Sequence, residues 1–536
     1  MASPLRAPSR ASPSPRAQGA LALAGIVAIG LVLRAVPIVA NPWPVGDGGL
    51  FYTMVGELVR SGLALPSFTS YGHEGIPFAY PPLALELAAA LELATGVARA
   101  ELFRWIPLTF SVLCIPAVYL LAREVAADRR RALFATLVYA TFPYAWGWLT
   151  MGSGLTRSVG MFFALLAAWQ GMRLLRDGRA RSVIATGVLA GLSVLSHPEA
   201  AVFVLIALGA RLLFERTWRN LRNLVLAAVI AAVVAVPWML IVIARHGPAP
   251  FLAAGGGVGR DPVASLVVYA FGFFIVSPLP VAPVLDLLGQ IRTLLARRPY
   301  LVVWRLAVCF LDLRFALVAA IVPMALLAAD GLFDVLVPAL ESLVRRARPG
   351  GGAAPPARRS IAALVAVASL GLLASGLVAP SIFLAPHVAL DAQDRAALAW
   401  VRATQPADRR FLVLATGTWG SDDLSEWFPA LADRGTLDTS QGLEWVKPAI
   451  RDAEIAAETR LRLCEPAGLA CVVDWLRGRG AADPAVYVPA NGSAFTRSGD
   501  ATAAIRAELL GSPLFRVIYA GPGAVILVPS GAAGAP

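Results

Sequence analysis

Long apolar runs separated by short clusters of arginine follow one another along most of this 536-residue sequence. A helix needs about 20 apolar residues to cross the hydrocarbon core of a bilayer, and many of these runs approach that length. Only 15% of the residues are charged, whereas soluble domains carry about 25%. One water-facing fold could not bury this much apolar surface, so the sequence predicts a multi-pass membrane protein.

The apolar runs predict an α-helical membrane bundle with about 11 spans. The first run follows a tail, residues 1–17, that is rich in serine, proline and arginine. A cleaved signal peptide is the alternative, but this run is longer than the apolar core of a signal peptide and no small-residue cleavage site follows it. The spans are expected at residues 18–40, 103–125, 132–150, 158–175, 183–196, 200–214, 223–244, 264–287, 299–312, 314–340 and 360–384.

The arginines predict the orientation of the bundle, residues 18–384, because cytoplasmic loops of membrane proteins carry an excess of basic residues. With a cytoplasmic N-terminus, residues 41–102 form the first outer loop and every strong basic cluster lies inside. This distribution accounts for the net charge of +12 without nucleic acid as a partner. We therefore expect a protein of the plasma (inner) membrane. The inner clusters are 129–131, 173–181, 211–222, 292–298 and 345–359.

One apolar stretch, residues 81–96, does not fit this orientation as a span. It is short, it carries Glu86 and Glu92, and every later loop would be inverted if it crossed the membrane. The stretch is therefore predicted to form an interfacial or re-entrant helix against the outer face.

The composition changes after the last predicted span, and residues 388–536 have the charge content of a soluble domain. Strand-like and helix-like runs alternate there, which predicts an extracytoplasmic α/β domain. Cys464 and Cys471 lie in this part, and a disulfide between them is expected if it faces an oxidising compartment. The strand-like runs are 411–415, 517–519 and 524–528, and the helix-like runs are 391–404, 450–463 and 500–510.

Asp47 is the first candidate for chemistry, because it follows a long apolar span and is flanked by Gly46, Gly48 and Gly49. Glycines allow a substrate to approach the backbone closely. A carboxylate at this position could accept a proton from an acceptor group or help to bind a metal. The alternative is a solvated aspartate that caps the next helix.

Further polar residues are expected at the same outer end of the bundle. Arg157 and Arg314 each begin an apolar run, and guanidinium groups suit phosphate through their planar, bidentate geometry. Their alternative role is snorkelling to lipid head groups. His197 and Glu199 end another span and suggest a metal site or a proton relay, or else a plain proline-punctuated helix end.

These features together resemble the GT-C superfamily of polyprenyl-phosphate-sugar glycosyltransferases, which includes protein O-mannosyltransferases and the aminoarabinose transferases of lipid A. The resemblance covers roughly residues 20–215 and explains why residues 81–96 are not a span. Its features here are Asp47 at the opening of the first outer loop, an amphipathic helix at 49–61, the segment Tyr80–Pro81–Pro82–Leu83 and the basic inner loop Arg129–Arg131.

The resemblance implies an enzyme that moves a sugar from a polyprenyl-phosphate donor to a glycan, lipid or protein acceptor on the outer face. Asp47 would be the base or acceptor-orienting carboxylate, and Arg157 and Arg314 would bind the donor phosphate.

Relatives often carry a second acidic residue in this region, whereas here Gly48 follows Asp47 and Tyr80 precedes the paired prolines. A second acidic role would therefore have to come from another residue, and a divalent metal is left open as a cofactor. The candidates for a metal or acceptor site are Glu74, Glu86, His197 and Glu199.

The predicted outer domain contains a segment dense in tryptophan and acidic residues. Such residues suit carbohydrate through ring stacking and hydroxyl hydrogen bonds, and the alternative is the core of an ordinary domain packed on the bundle. The resemblance assigns no chemistry to the segment. Its candidate residues are Trp419, Asp422, Asp423, Glu426, Trp427 and Glu444.

Two other functions remain open from the sequence. A transporter or flippase predicts ionisable residues at mid-membrane and broken helices related by an internal repeat, whereas the candidates above lie at one face and no repeat is evident. A non-catalytic cell-envelope assembly protein on a degenerate GT-C fold stays open because Asp47 lacks acidic neighbours.

Overall fold

The fold is described here from a computed structural model. It describes residues 14–126, 128–256, 262–311, 315–346, 355–383, 390–414, 423–439, 441–446, 448–464, 467–481, 483–490 and 499–531. Arg314, Trp419 and Asp422, which the sequence nominated, lie outside these residues, as does the predicted tail up to residue 13.

The N-terminal two thirds of the chain are helical. The helices are α1 Pro15–Ala40, α2 Gly49–Arg60, α3 Leu83–Thr95, α4 Arg99–Ala126, α5 Arg129–Thr141, α6 Gly147–Thr150, α7 Gly154–Asp177, α8 Ala180–Val194, α9 Pro198–Phe214, α10 Trp218–His246, α11 Ala249–Gly256, α12 Pro262–Val267, α13 Phe273–Ile275, α14 Val281–Leu295, α15 Tyr300–Leu311, α16 Ala316–Ala319, α17 Ile321–Asp330, α18 Val337–Arg346 and α19 Pro355–Phe383. Two π-helical segments, Val268–Gly272 and Gly331–Leu336, join α12 to α13 and α17 to α18.

Among the described residues, six helical stretches are long and apolar enough to cross a membrane. Three more apolar helices are shorter, so the predicted helical membrane bundle is confirmed but the number of about 11 spans is not. The six stretches are Arg16–Ala40, Arg99–Ala126, Gly154–Asp177, Trp218–His246, Ala316–Arg346 and Arg359–Val378.

Two predicted spans are interrupted by proline. Residues 132–150 break after Thr141, because Pro143 forces the residue before it into an extended conformation (Phe142 φ −74°, ψ 125°). Residues 264–287 divide at the prolines 278 and 280, so that one helix ends at Ile275 and the next begins at Val281.

The short apolar stretch 81–96 forms helix α3. Its 13 residues extend only about 20 Å, less than the roughly 30 Å of a hydrocarbon core. The Leu83 amide donates a hydrogen bond to the Leu195 carbonyl (2.9 Å), which ties the start of α3 to the end of α8. As predicted, this helix is not a full span.

The C-terminal part is a small α/β unit, as the alternation of patterns predicted. Its elements are α20 Ala392–Thr404, β1 Phe411–Val413, α21 Asp423–Ala432, α22 Pro448–Arg462, α23 Leu469–Arg479, β2 Ala485–Pro489, α24 Gly499–Gly511, β3 Phe515–Ala520 and β4 Ala524–Pro529. The sheet has the order β1-β2-β4-β3, with β1 and β2 parallel and the other pairs antiparallel.

The sequence did not predict β2, α21 and α23. Strand β2 is short and buried along its whole length, so it lacks the alternation that marks a half-buried strand. Cys464 and Cys471 form a disulfide across the connection between α22 and α23, with their Cα atoms 5.2 Å apart.

Candidate active site

Asp47 lies in the connection between α1 and α2, and the start of α7 holds it. The Ser153 hydroxyl donates a hydrogen bond to Asp47 Oδ1 (2.5 Å), and the Ser153 amide donates to the Asp47 carbonyl (2.8 Å). One residue earlier, the Gly152 amide donates to the Val45 carbonyl (2.9 Å). The side chain of Asp47 is nearly buried, so contacts within the protein hold both its carboxylate and its backbone.

The C-terminal unit covers the other side of the same loop. The indole nitrogen of Trp427, in α21, donates a hydrogen bond to the Gly46 carbonyl (2.8 Å). A Cβ at Gly49 would lie 1.9 Å from the Glu426 carbonyl oxygen, so only glycine allows α2 and α21 to approach this closely. The Gln441 side chain also accepts a hydrogen bond from the Leu50 amide (3.2 Å).

Arg157 lies one helical turn beyond Ser153, on the same face of α7. Its guanidinium stacks over the Trp148 ring at 5.3 Å. Nη1 is buried without a hydrogen-bond partner among the described residues, and no described carboxylate pairs with this arginine. A partly buried guanidinium without a described carboxylate partner, one helical turn from the serine that holds Asp47, is a suitable site for a phosphate.

His197 and Glu199 are joined to the same end of α7 through Tyr80. The Tyr80 hydroxyl lies 3.1 Å from His197 Nδ1 and 3.2 Å from the hydroxyl of Thr156, the residue before Arg157. His197 Nε2 lies 3.4 Å from the Glu199 carboxylate. The imidazole is nearly buried, so this chain of polar groups has a defined geometry.

The two remaining acidic candidates differ in their surroundings. Glu86 lies in the first turn of α3, where burial raises the pKa of its carboxyl group above the ordinary value. Glu74 instead forms an ion pair with Arg410 of the C-terminal unit. The structure therefore uses Glu74 to join the first loop to that unit.

Most of the candidate carbohydrate-binding residues that the structure describes in the C-terminal unit are buried. Asp423 and Glu426 are buried in the first turn of α21, and the Glu426 carbonyl accepts a hydrogen bond from the Tyr71 hydroxyl (2.7 Å). The Trp427 ring is fully buried against Trp43 and leaves no open face for a sugar. Glu444 lies in the short helical turn Leu443–Trp445, and its side chain is not among those described.

Sequence reasoning missed Ser153, Thr156 and Tyr80 as partners of the nominated residues. All three are neutral hydroxyl residues, which carry no strong individual signal. Thr156 directly precedes Arg157 and Ser153 lies four residues before it, in the Gly-Ser-Gly-Leu-Thr-Arg segment, and Tyr80 precedes the paired prolines. Their position just before an apolar stretch on the predicted outer side is the one sequence feature that could have indicated them.

Within the described parts of the chain, no three histidine, cysteine, aspartate or glutamate side chains converge into a metal site. His197 and Glu199 supply two neighbouring ligands, whereas a catalytic zinc site has three protein ligands. A metal at this position would need a further ligand from outside the pair.

Comparisons with known proteins agree with this architecture. The family model described as dolichyl-phosphate-mannose-protein mannosyltransferase matches residues 80–241. This range contains Tyr80, Arg157, His197 and Glu199 but not Asp47. No curated protein matches the sequence.

Solved structures match over nearly the whole chain at low sequence identity. ArnT from Cupriavidus metallidurans is 15% identical with a TM-score of 0.54, and the match covers 96% of this chain and 98% of ArnT. The Archaeoglobus fulgidus oligosaccharyltransferase is 16% identical with a TM-score of 0.59, over 89% of this chain and 69% of that enzyme. Arabinofuranosyltransferase AftD from Mycobacteria is 15% identical with a TM-score of 0.60, over 97% of this chain and 40% of AftD.

At sequence identities this low, the structural matches establish the fold alone. The predicted GT-C-like bundle with a C-terminal domain is confirmed by matches that span both parts of the chain. This chain is thus a multi-pass membrane protein with the fold of the GT-C glycosyltransferases.

Proposed function

We propose that this protein transfers a sugar from a polyprenyl-phosphate donor to an acceptor at the outer face of the plasma membrane. The observation that carries the proposal is that one turn at the start of α7 both holds the Asp47 carboxylate, through Ser153, and carries Arg157, which has no carboxylate partner among the described residues. Ser153 holds Asp47, and Arg157 follows four residues later. In a transfer with a phosphate leaving group, a carboxylate can take the proton of the acceptor and a guanidinium can stabilise the charge of the phosphate.

The fold and its relatives support this choice of donor. One ArnT structure of the same fold is described as bound to undecaprenyl phosphate, and one oligosaccharyltransferase structure as bound to a dolichol-phosphate and an inhibitory peptide. The partial match to the mannosyltransferase family model points in the same direction. We therefore assign this chain a lipid-linked sugar donor, and a glycan, lipid or protein acceptor.

The proposed reaction needs two events at the anomeric carbon of the sugar. An acceptor hydroxyl or amine forms a bond to that carbon, and the bond from the carbon to the donor phosphate oxygen breaks with its electron pair. Asp47 takes the proton from the acceptor, while Arg157 binds the phosphate as its negative charge increases. The leaving phosphate is stable at neutral pH, so the protein mainly positions the reactants.

The chain of Tyr80, His197 and Glu199 lies beside these groups and suits the acceptor. Tyr80 links it to Thr156, the neighbour of Arg157, so a bound acceptor would lie close to the donor phosphate. We propose that His197 and Glu199 orient the acceptor through hydrogen bonds. They would also supply two ligands to a divalent metal if a further ligand completes the site.

The orientation in the membrane is part of the proposal. The distribution of arginine favours a cytoplasmic N-terminus. On that basis the site at the start of α7 opens towards the outer leaflet, and the C-terminal unit that covers Asp47 is extracytoplasmic. We also propose that Arg314, which lies outside the described residues, contributes a second cation for the donor.

The deciding experiment is the Asp47→Asn variant, assayed for turnover of lipid-linked sugar in membranes. A positioned general base contributes about 100-fold or more to rate, so we expect a loss of that size. Asp433→Asn is the matched control, because it removes a half-exposed carboxylate of the C-terminal unit outside the site. Full turnover in the Asp47 variant would eliminate the proposed mechanism.

A further inference from the structure

A cavity of about 530 Å³ lies at the end of the bundle opposite Asp47. Its walls come from the ends of α4, α7 and α9 and the start of α10. Helix α7 begins beside Asp47 and reaches this cavity at Met172, Leu175 and Arg176, about 27–33 Å further along its axis. Because a hydrocarbon core is about 30 Å thick, the cavity lies at the level of the head groups of the other leaflet.

Four arginines and two glutamates line this cavity, which leaves an excess of positive charge. Arg176 pairs with Glu124 (2.5 Å), and Arg211 pairs with Glu215. The two remaining arginines, 216 and 219, contact backbone carbonyls and have no carboxylate partner among the described residues. The cavity therefore offers two guanidinium groups to an anion.

Asn220 adds a specific polar group to the same wall. Its side chain is only 3% exposed, and its amide nitrogen donates a hydrogen bond to the Glu215 carbonyl (3.2 Å). Its Oδ1 is buried without a donor among the described residues. A buried acceptor of this kind is costly unless a donor completes it. A ligand with a hydroxyl group would complete it.

The remaining surroundings suit a lipid. Met172, Leu175 and Phe214 form an apolar wall of the cavity. Beside them Trp218 is 77% exposed, as aromatic residues often are at the membrane–water interface. A ligand that carries an anion, a hydroxyl and an acyl chain would satisfy all three kinds of surface.

We propose that this cavity binds the head group of an anionic glycerophospholipid of the opposite leaflet. Arg216 and Arg219 bind the phosphate, Asn220 accepts a hydrogen bond from a head-group hydroxyl, and the acyl chains lie along the exposed apolar side of α10. The site is distinct from the sugar-transfer site and does not depend on the proposed enzymatic activity.

The test is native mass spectrometry of the full chain in detergent with added phosphatidylglycerol. We expect retained lipid adducts, and about 30-fold weaker binding in an Arg216→Gln/Arg219→Gln double variant, because each basic residue near an anionic head group contributes roughly a fivefold factor. The matched control is Arg222→Gln, an exposed arginine on α10 that does not line the cavity. It is expected to bind within about twofold of the wild type, since head-group charge contacts act locally.

Two comparison ligands test whether the cavity recognises an anionic lipid, a lipid of any head group or free phosphate. Phosphatidylcholine with the same acyl chains is expected to bind weakly, because its head group has no net charge and no free hydroxyl. Inorganic phosphate alone is expected to bind weakly because it lacks the apolar contacts. The proposal would be overturned if the two lipids bound equally well, or if the Arg222 variant lost as much binding as the double variant. It would also be overturned if inorganic phosphate bound as tightly as phosphatidylglycerol.

Discussion

The Ser153 hydroxyl donates a 2.5 Å hydrogen bond to Asp47, and the Ser153 amide donates a second one to the Asp47 carbonyl. One residue at the start of α7 therefore fixes both the side chain and the backbone of the proposed base. Because Arg157 lies on the same helical turn, α7 also sets the distance between the base and the proposed phosphate site.

Ser153→Ala removes the hydroxyl while the backbone hydrogen bond to Asp47 remains. A hydrogen bond to a charged group contributes about 1.5–3 kcal/mol, so we expect kcat to fall roughly 10- to 100-fold with little change in KM. Ser158→Ala is the control, because the hydroxyl of that buried serine of α7 donates a hydrogen bond to the Leu155 carbonyl of its own helix. Equal losses in both variants would show a general effect on α7 and would contradict the role of Ser153.

Arg157→Gln is expected to weaken binding of the lipid-linked donor by about tenfold or more, because a charge-assisted contact to phosphate is lost. Arg157→Lys keeps the charge but loses the bidentate geometry, so its donor KM should lie between those of the wild type and the Arg157→Gln variant. The measurement is donor KM in membranes or nanodiscs. Arg60→Gln, at the exposed end of α2, is the control for loss of charge on this side. An unchanged donor KM in the Arg157 variants would refute phosphate binding by this residue.

Gly49→Ala is expected to separate α2 from α21, because the new methyl group would overlap the Glu426 carbonyl oxygen. Overpacking of this kind costs about 1–3 kcal/mol, so both the thermal unfolding temperature and the transfer rate should fall. Gly25→Ala in α1 is the matched control, since a Cβ there meets no other atom within 4 Å. A Gly49 variant with wild-type stability and rate would mean that the contact with α21 does not position the loop.

Tyr80→Phe removes the hydroxyl between Thr156 and His197 and leaves the aromatic packing in place. If these residues orient the acceptor, acceptor KM should rise several-fold while donor KM stays constant, in keeping with about 1 kcal/mol for a neutral hydrogen bond. Tyr119→Phe in α4 serves as the control. A change in donor KM alone would reassign Tyr80 to the donor side.

The disulfide between Cys464 and Cys471 offers a test of orientation. In a Cys464→Ser variant the partly exposed Cys471 becomes a free thiol. A membrane-impermeant maleimide added to intact cells should label it, because the proposal places this unit outside. The buried Cys114 and Cys309 are internal controls that should stay unlabelled. Labelling that requires lysis of the cells would place the C-terminal unit in the cytoplasm.

Much of the architecture follows from the sequence because it rests on local properties. The length of an apolar run determines whether it can cross a bilayer, and charge content marks where the C-terminal unit begins. The predicted helix at 49–61 and the non-spanning stretch at 81–96 correspond to α2 and α3 for the same reason. The roles of the nominated residues remain proposals.

The sequence shows single charged residues inside the predicted spans, but not what neutralises them within the bundle. The side chains of Asp286 and Arg305 are buried and form an ion pair (3.3 Å) between α14 and α15. Arg34 is fully buried and donates hydrogen bonds to Ser111 and to the Ala140 carbonyl. Charges in a membrane persist where partners on other helices neutralise or solvate them, and those partners are visible only in three dimensions.

The sequence by itself determined that this protein is a helical membrane bundle with a water-facing C-terminal unit, and it nominated Asp47 and Arg157. Only the tertiary structure decided how these residues are held. Trp427 contacts the Gly46 carbonyl across 381 positions of sequence, and Ser153 contacts Asp47 across 106. Hydropathy and charge are summed over neighbouring residues, whereas these contacts depend on how distant helices pack, so no local pattern could have predicted them.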